Sequence, residues 1–311
     1  CTGGTLINDI YFSTFETTLQ GNNLSIDLSK NSINYFVNDA SNFNALDSIG
    51  ANNPVFSLAL TTNNNKLYVG GSFTKIANDS DINRIGYWNI VNNTWNPVYS
   101  GVSSTVRAIA TTNSSNVFLG GAFTSTSSGA GFNYITYSDG ATYYKLGSGT
   151  NALVKALAFD GSSNLYVGGN FTTAGGNTNN YIASWNTVDN SWNSLGSGMN
   201  SSVNVLIYNN GILYAGGNFI TADGNSCNRI AKWDGSNWSA LGSGMDDNVN
   251  ALAFDDNGNL YAGGSFSTAG GVNCNYIAQY DGSSWSALGN GMNGKINALT
   301  YDASRNVLYA G

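Results

Sequence analysis

Apolar and polar residues alternate along this chain in short runs broken by Asp, Asn, Gly and Ser. One stretch reads Val249-Asn-Ala-Leu-Ala-Phe-Asp, then Asn259-Leu-Tyr-Ala-Gly-Gly-Ser-Phe-Ser, Asn275-Tyr-Ile-Ala-Gln-Tyr-Asp-Gly and Ser284-Trp-Ser-Ala-Leu-Gly. Such runs, rich in β-branched and aromatic residues and closed by turn formers, predict strands. The breaks carry turn chemistry: Asp255-Asp-Asn-Gly-Asn and Asp160-Gly-Ser-Ser-Asn follow a first run, and Asp234-Gly-Ser-Asn follows a third. No window sustains a helical apolar period, so essentially no helix is expected.

The four runs, a to d, recur as a unit. Gly-Gly pairs closing run b start at Gly70, Gly120, Gly168, Gly216 and Gly263, and Gly311 opens a sixth, with spacings of 47 to 50 residues. Four strands in a unit of about 40–50 residues predict a β-propeller blade. The tryptophans keep the same register. Trp88, Trp185 and Trp233 end run c, with Tyr280 in that slot, while Ser138 breaks the pattern beside Tyr137. Trp95, Trp192, Trp238 and Trp285 lie in run d, with Tyr143 in the second copy, and Met199, Met245 and Met292 share a slot after Leu-Gly-x-Gly. Bulky residues recurring at one repeat position read as packing between blades, in preference to a ligand-binding aromatic row.

The Gly-Gly doublet, the aromatic near the end of run c and the Trp of run d resemble kelch-type propeller repeats. The string Gly216-Gly-Asn-Phe-Ile-Thr-Ala-Asp-Gly, followed by Asn228-Arg-Ile-Ala-Lys-Trp-Asp-Gly, is more similar still to the extracellular "delta-60" type propeller repeats. The resemblance covers roughly residues 50–311 and speaks for fold, since such repeats serve many functions. A lone Trp233-Asp234 does not make a WD40 repeat beside Gly-Gly doublets and no Gly-His. The expected fold is therefore all-β: a propeller of six four-stranded blades, or seven if more chain follows Gly311. Ile33-Asn-Tyr-Phe36 and Asn42-Phe-Asn-Ala-Leu46 read as degenerate strands c and d, and residues 296–311 supply only a and b. Pairing the two halves would close the ring and protect its edges. Residues 1–32 are expected to be a joining segment and 33–311 the propeller.

Composition narrows the chemistry. The 311 residues include no His, which excludes Ser-His-Asp and Cys-His catalysis, His-ligated zinc or copper, and a His pH switch. Galactose-oxidase-like enzymes, which share the kelch blade, bind copper through His and Tyr, so that activity is excluded too. Only 9% of residues are charged, with 11 Lys+Arg against 18 Asp+Glu, a net charge of −7. The scattered cations, Lys30, Lys66, Arg84, Arg107, Arg229 and Lys232 among them, argue against nucleic acid. No stretch is long and apolar enough for a membrane-spanning helix. The chain starts at Cys1, read as a cropped sequence in preference to a mature lipoprotein. Cys227 and Cys274 hold equivalent places in neighbouring repeats, farther apart than a disulfide tolerates, and are expected to be small, partly buried free thiols. Asp255-Asp-Asn-Gly-Asn259 has oxygen ligands at calcium-loop spacing, but no bidentate Glu follows, and a tight turn needs the same residues. No cofactor is expected. Arg84 and Arg229 occupy equivalent starts of run c, unlike the converging arginines of a sialidase. Nothing marks a glycosidase carboxylate pair, and sequons such as Asn170-Phe-Thr are expected by chance.

These readings lead to a non-enzymatic surface protein, extracellular or on a cell or virion surface. It would be the recognition or spacer head of an adhesin or virion fibre, meeting a protein or glycan partner. The alternative is a glycan-binding or glycan-cleaving propeller that uses Asp and Tyr on one face. The b–c loops, Lys75–Asn83, Ser125–Asn133, Thr173–Asn180, Thr221–Asn228 and Ser267–Asn275, differ most between copies. Loops can vary without disturbing blade packing. The recognition face is accordingly expected around Asn83, Arg84, Asn133, Asn180 and Arg229.

Overall fold

Alternating polarity becomes antiparallel ladders, with no helix among the described residues. The computed structural model describes residues 50–61, 65–76, 81–112 and 116–311, with the backbone of three N-terminal strands, Asn22–Asp27, Ser32–Val37 and Asn44–Ala45. Five four-stranded sheets follow one another, each in the order a-b-c-d. Blade 1 is Val55–Leu60, Lys66–Gly71, Ile85–Asn89 and Thr94–Pro97. Blade 2 is Val106–Thr111, Val117–Gly121, Ile135–Ser138 and Tyr143–Lys145. Blade 3 is Val154–Phe159, Asn164–Gly169, Ile182–Asn186 and Ser191–Asn193. Blade 4 is Val203–Asn209, Ile212–Gly217, Ile230–Trp233 and Trp238–Ala240. Blade 5 is Val249–Phe254, Leu260–Gly264, Ile277–Tyr280 and Trp285–Ala287.

The core lies between blades. One cluster joins Ala156, Ala158 and Ile182 of blade 3 to Val203, Leu206, Phe219 and Trp238 of blade 4. The Gly-Gly doublet makes this approach feasible. A Cβ on Gly168 would stand 2.6 Å from Val203 Cγ1 of the next blade, and Gly70 and Gly263 face Val106 and Ile296 at the same distance. A Cβ on the second glycine, Gly169, would collide with the Leu153 carbonyl just ahead of its own strand a. The Phe two residues further on (Phe73, Phe123, Phe171, Phe219, Phe266) is fully buried in every blade.

In blades 2 to 5, strand d secures the blade to the one before. Trp192 Nε1 donates to the Leu146 carbonyl at 2.9 Å, Trp238 Nε1 to Leu195 at 3.0 Å and Trp285 Nε1 to Leu241 at 2.8 Å. Tyr143 stands in for Trp in blade 2, and its hydroxyl donates to the Val98 carbonyl at 2.6 Å. The expectation that these aromatics pack blades together therefore holds, with an interblade hydrogen bond added. Cys227 and Cys274 are free and buried; Cys1 lies outside the described residues.

At the ends, Leu299–Asp302 pairs with Val307–Ala310, and Ser32–Val37 pairs with Asn22–Asp27 on one side and Asn44–Ala45 on the other. The neighbour expected for the N-terminal c strand was the C-terminal b strand. No ladder between these two sets occurs among the described strands. Asn22-Asn-Leu-Ser-Ile-Asp27 alternates in polarity and lies a few residues away in sequence, so its pairing closes a far shorter loop. The boundary expected between residues 32 and 33 falls at the start of the second of these strands.

Candidate functional site

Two surfaces could meet a partner: the face carrying the b–c loops, and the channel around which the a strands stand. On the first, the b–c loops of blades 2 to 5 are each a two-stranded miniature hairpin. Blade 3 pairs Thr173–Ala174 with Asn177–Thr178, and blade 4 pairs Thr221–Ala222 with Asn225–Ser226. Each hairpin is bridged to the segment leading out of strand d: Val102 to Thr126, Thr150 to Ala174, Met199 to Ala222 and Met245 to Ala269. The sequence differences among these four loops thus leave their backbone plan unchanged. Ile220 and Val272 are exposed apolar residues in these loops.

The residues singled out from sequence stand at two adjacent repeat positions spread over four blades, with Asn83 and Arg84 together in blade 1. Asn133 Nδ2 donates to the Ser148 carbonyl at 2.9 Å, and Asn180 Nδ2 to Ser197 at 3.1 Å. Their own carbonyls accept from Thr150 and Met199. Asn228 and Asn275 repeat the pattern onto Ser243 and Asn290, and their carbonyls accept from the backbone N–H groups of Met245 and Met292. Asn83 holds the same place, with a buried Oδ1 that has no hydrogen-bond partner. The following residue is left-handed in all five blades: Arg84 (φ 67°), Tyr134 (67°), Tyr181 (65°), Arg229 (72°) and Tyr276 (72°). Such a conformation costs a non-glycine residue about 1–3 kcal/mol. The backbone compensates: Arg229 N–H donates to Phe219 and its carbonyl accepts from Gly217. The Arg84 and Arg229 guanidiniums donate to the carbonyls of Ser72 and Asn218. The Arg84, Asn133, Asn180 and Arg229 side chains therefore hold the b–c loop to its own blade, and the structure does not gather the five residues at one point.

The acidic turns are similarly engaged. Asp255 Oδ1 accepts from the N–H groups of Asn257 and Asn259, and Oδ2 from Asn259 Nδ2 and Tyr261 Oη. Burial alone would raise the Asp255 carboxyl, but the bonds from Asn259 and Tyr261 outweigh it and hold the group below its usual range. At Asp234 the backbone N–H groups of Asn237 and Ser236 lower the carboxyl. Among the described residues no three His, Cys, Asp or Glu side chains cluster as metal ligands.

The channel was not read as a site from the sequence. Its mouth on the a–b side is a cavity of about 260 Å³, lined by the strand-a ends of six consecutive repeats, Leu60, Thr111, Phe159, Tyr208, Phe254 and Tyr301. Toward the other mouth, each a strand of blades 1 to 5 shifts register by one residue opposite its Gly-Gly pair: Val55/Ser57, Val106/Ala108, Val154/Ala156, Val203/Val205 and Val249/Ala251. The residues left over are Phe56, Arg107, Lys155, Asn204 and Asn250. Their chemistry is invisible in single-repeat patterning because the position changes from Phe to Arg to Lys before settling on Asn in blades 4 and 5.

Radially placed four-stranded blades about a channel make this chain a β-propeller. The family model for the Rax2 C-terminal beta propeller domain matches residues 24–148, 139–237 and 237–311, and the chain belongs to that family. Comparison with curated proteins returns no match. Among solved structures, a chain of the crystal structure of the mitotic checkpoint complex is similar in fold. Its TM-score is 0.62 at 11% identity, over 97% of this chain and 83% of that one.

Proposed function

We propose that this propeller is a non-enzymatic recognition or spacer module of a surface protein, of the kind that forms the head of an adhesin or virion fibre. It would work outside the cell or on a particle, and its partner would be a protein or glycan met by the b–c face. One observation carries the reading: the groups that could perform chemistry make the same structural bonds in blade after blade. Indole N–H groups join blades, Asn amides pin loops, and turn carboxylates accept backbone N–H groups. A composition rich in Asn, Ser, Thr and Gly with few charges suits an extracellular surface. The family description, a C-terminal domain, fits a module displayed at one end of a longer protein. A glycan array read alongside a glycoside-hydrolysis assay tests the proposal. Retention without turnover, or capture of a surface protein abolished by altering the hairpin tips, is the expected result. Turnover of any glycoside overturns it.

A further inference from the structure

A third surface lies between blades 2 and 3, on the face of the a–b and c–d turns. Four repeat positions build it. The leading blade gives Phe118 of strand b and its cross-strand partner Tyr137 of strand c. The next blade gives Phe159 at the end of strand a and Trp185 in the aromatic slot of strand c. Among the interfaces of blades 1 to 5, only this one is aromatic at all four positions. Thr111 and Ser138 interrupt the set between blades 1 and 2, Ser184 between blades 3 and 4, and Lys232 between blades 4 and 5.

The four rings line a cavity of about 300 Å³, Phe118 and Trp185 buried and Tyr137 and Phe159 half-buried. Neighbouring rings hold them in place. Tyr144 stacks on Tyr137 with centroids 4.7 Å apart, and Phe118 stacks on Phe159 across the interface at 6.3 Å. The rest of the described lining is neutral, and its polar groups include Asn116 and Asn190. Asp160 and Asp189, close by in sequence, use their carboxylates on their own turns. Beyond its ring contacts the Tyr137 hydroxyl makes no hydrogen bond with a described residue, and neither do the Asn116 and Asn190 amides.

This combination selects a ligand class. A charged ligand finds no counter-charge in the lining. A peptide strand finds no open ladder on the strands carrying Phe118, Tyr137 and Trp185, which are paired on both sides. A sugar ring offers a C–H face to an aromatic ring, and hydroxyls that both donate to and accept from amides and phenols. The volume falls at the small end of the ~300–1,000 Å³ usual for ligand sites, which suits a short saccharide.

We propose that the cleft between blades 2 and 3 binds a neutral saccharide, with a pyranose ring against the half-buried Tyr137 and Phe159 and its hydroxyls on the Asn116 and Asn190 amides. The cleft lies on the face opposite the hairpin tips, so this site and recognition by the b–c face can each fail without the other.

The test is titration of the full chain with the methyl glycosides of glucose, galactose, mannose, N-acetylglucosamine and xylose, read by calorimetry and saturation-transfer NMR. Expected are saturable binding of at least one glycoside and transfer strongest at the ring C–H protons of one sugar face. Tyr137→Ser and Phe159→Thr introduce the residues found at these places in blades 3 and 1, and each should weaken binding about tenfold. Asn190→Gly suits the left-handed turn there (φ 56°) and should weaken it about threefold, which keeps the test open if a ring variant fails to fold. Lys232→Ser, at the place of Tyr137 in blade 4, leaves binding unchanged, as does exchange of the hairpin tips. No saturable binding of any of these glycosides overturns the site, as does wild-type affinity in the folded variants. Binding lost on exchanging the tips but kept in the cleft variants would overturn it too, and would place the sugar on the b–c face.

Discussion

A single methyl group separates the glycines of this repeat from a different packing. Gly168 sits against Val203 so closely that Gly168→Ala is expected to cost about 1–3 kcal/mol, read as a lower urea midpoint. Adding Val203→Ala should recover part of that loss, because the two substitutions act on one contact. Additive losses would show that the glycine serves backbone freedom and not the close approach. The indole donors make an equally local contribution. Trp238→Phe leaves the buried Leu195 carbonyl without its donor and is expected to cost about 1–3 kcal/mol.

At the scale of the element, the acidic turns set how the ladders respond to pH and metal. Asp255→Ala removes an acceptor from two backbone N–H groups and is expected to lower stability by about 1 kcal/mol. Calcium at millimolar concentration should leave the melting temperature unchanged, because the carboxylate oxygens are already taken by the turn; a rise would make it a calcium loop. The titrations bracket a broad plateau. Burial, aided by Tyr87, pushes Tyr68 to about 12, and burial also carries Tyr166 and Tyr261 to about 12. An unfolded tyrosine titrates near about 10. The folded phenols keep their protons, so their contribution is complete below about pH 10 and lost as pH rises toward 12. The lowered carboxyls of Asp234, Asp246 and Asp255 work oppositely: their contribution is present above about pH 4 and lost on further acidification. With no His in the chain, the melting temperature should be flat from about pH 5 to 8 and fall on both sides. The alkaline fall begins with the buried Cys227 and Cys274 thiols, which burial keeps protonated while unfolded thiols ionise at about pH 8.5. A step near pH 6–7 would contradict this.

For the molecule as a whole, blades that meet through side chains and single hydrogen bonds leave their hairpin tips free to change. Exchanging the tips of blades 3 and 5, Gly175–Asn177 for Gly270–Val272, should alter stability by less than about 0.5 kcal/mol while changing attachment to a partner. Unchanged attachment after every tip had been exchanged would move the recognition surface elsewhere, with the channel the next place to look. A far-ultraviolet circular dichroism spectrum without helical minima is expected, in keeping with strands throughout the described residues.

Periodicity was enough to specify strands, blade and register, because a repeated unit must bury the same residues each time: Gly-Gly, Phe and Trp recur at the positions where one blade touches the next. The turn role of Asp255 and the free state of Cys227 and Cys274 were legible for the same reason, since local geometry and repeat spacing decide them. The Asn133 and Asn180 position was visible too. That its amide binds the segment after strand d depends on a loop folding back 15 or more residues later, which spacing does not encode. The ring of residues left over at the register shifts was hidden further. Phe56, Arg107, Lys155, Asn204 and Asn250 comprise four residue types, so no repeat pattern runs through all of them, and each looks like an ordinary polar or aromatic position in its own strand. Only the closing of blades about a common channel brings them within reach of one another, because neighbours on that ring are about fifty residues apart in the chain.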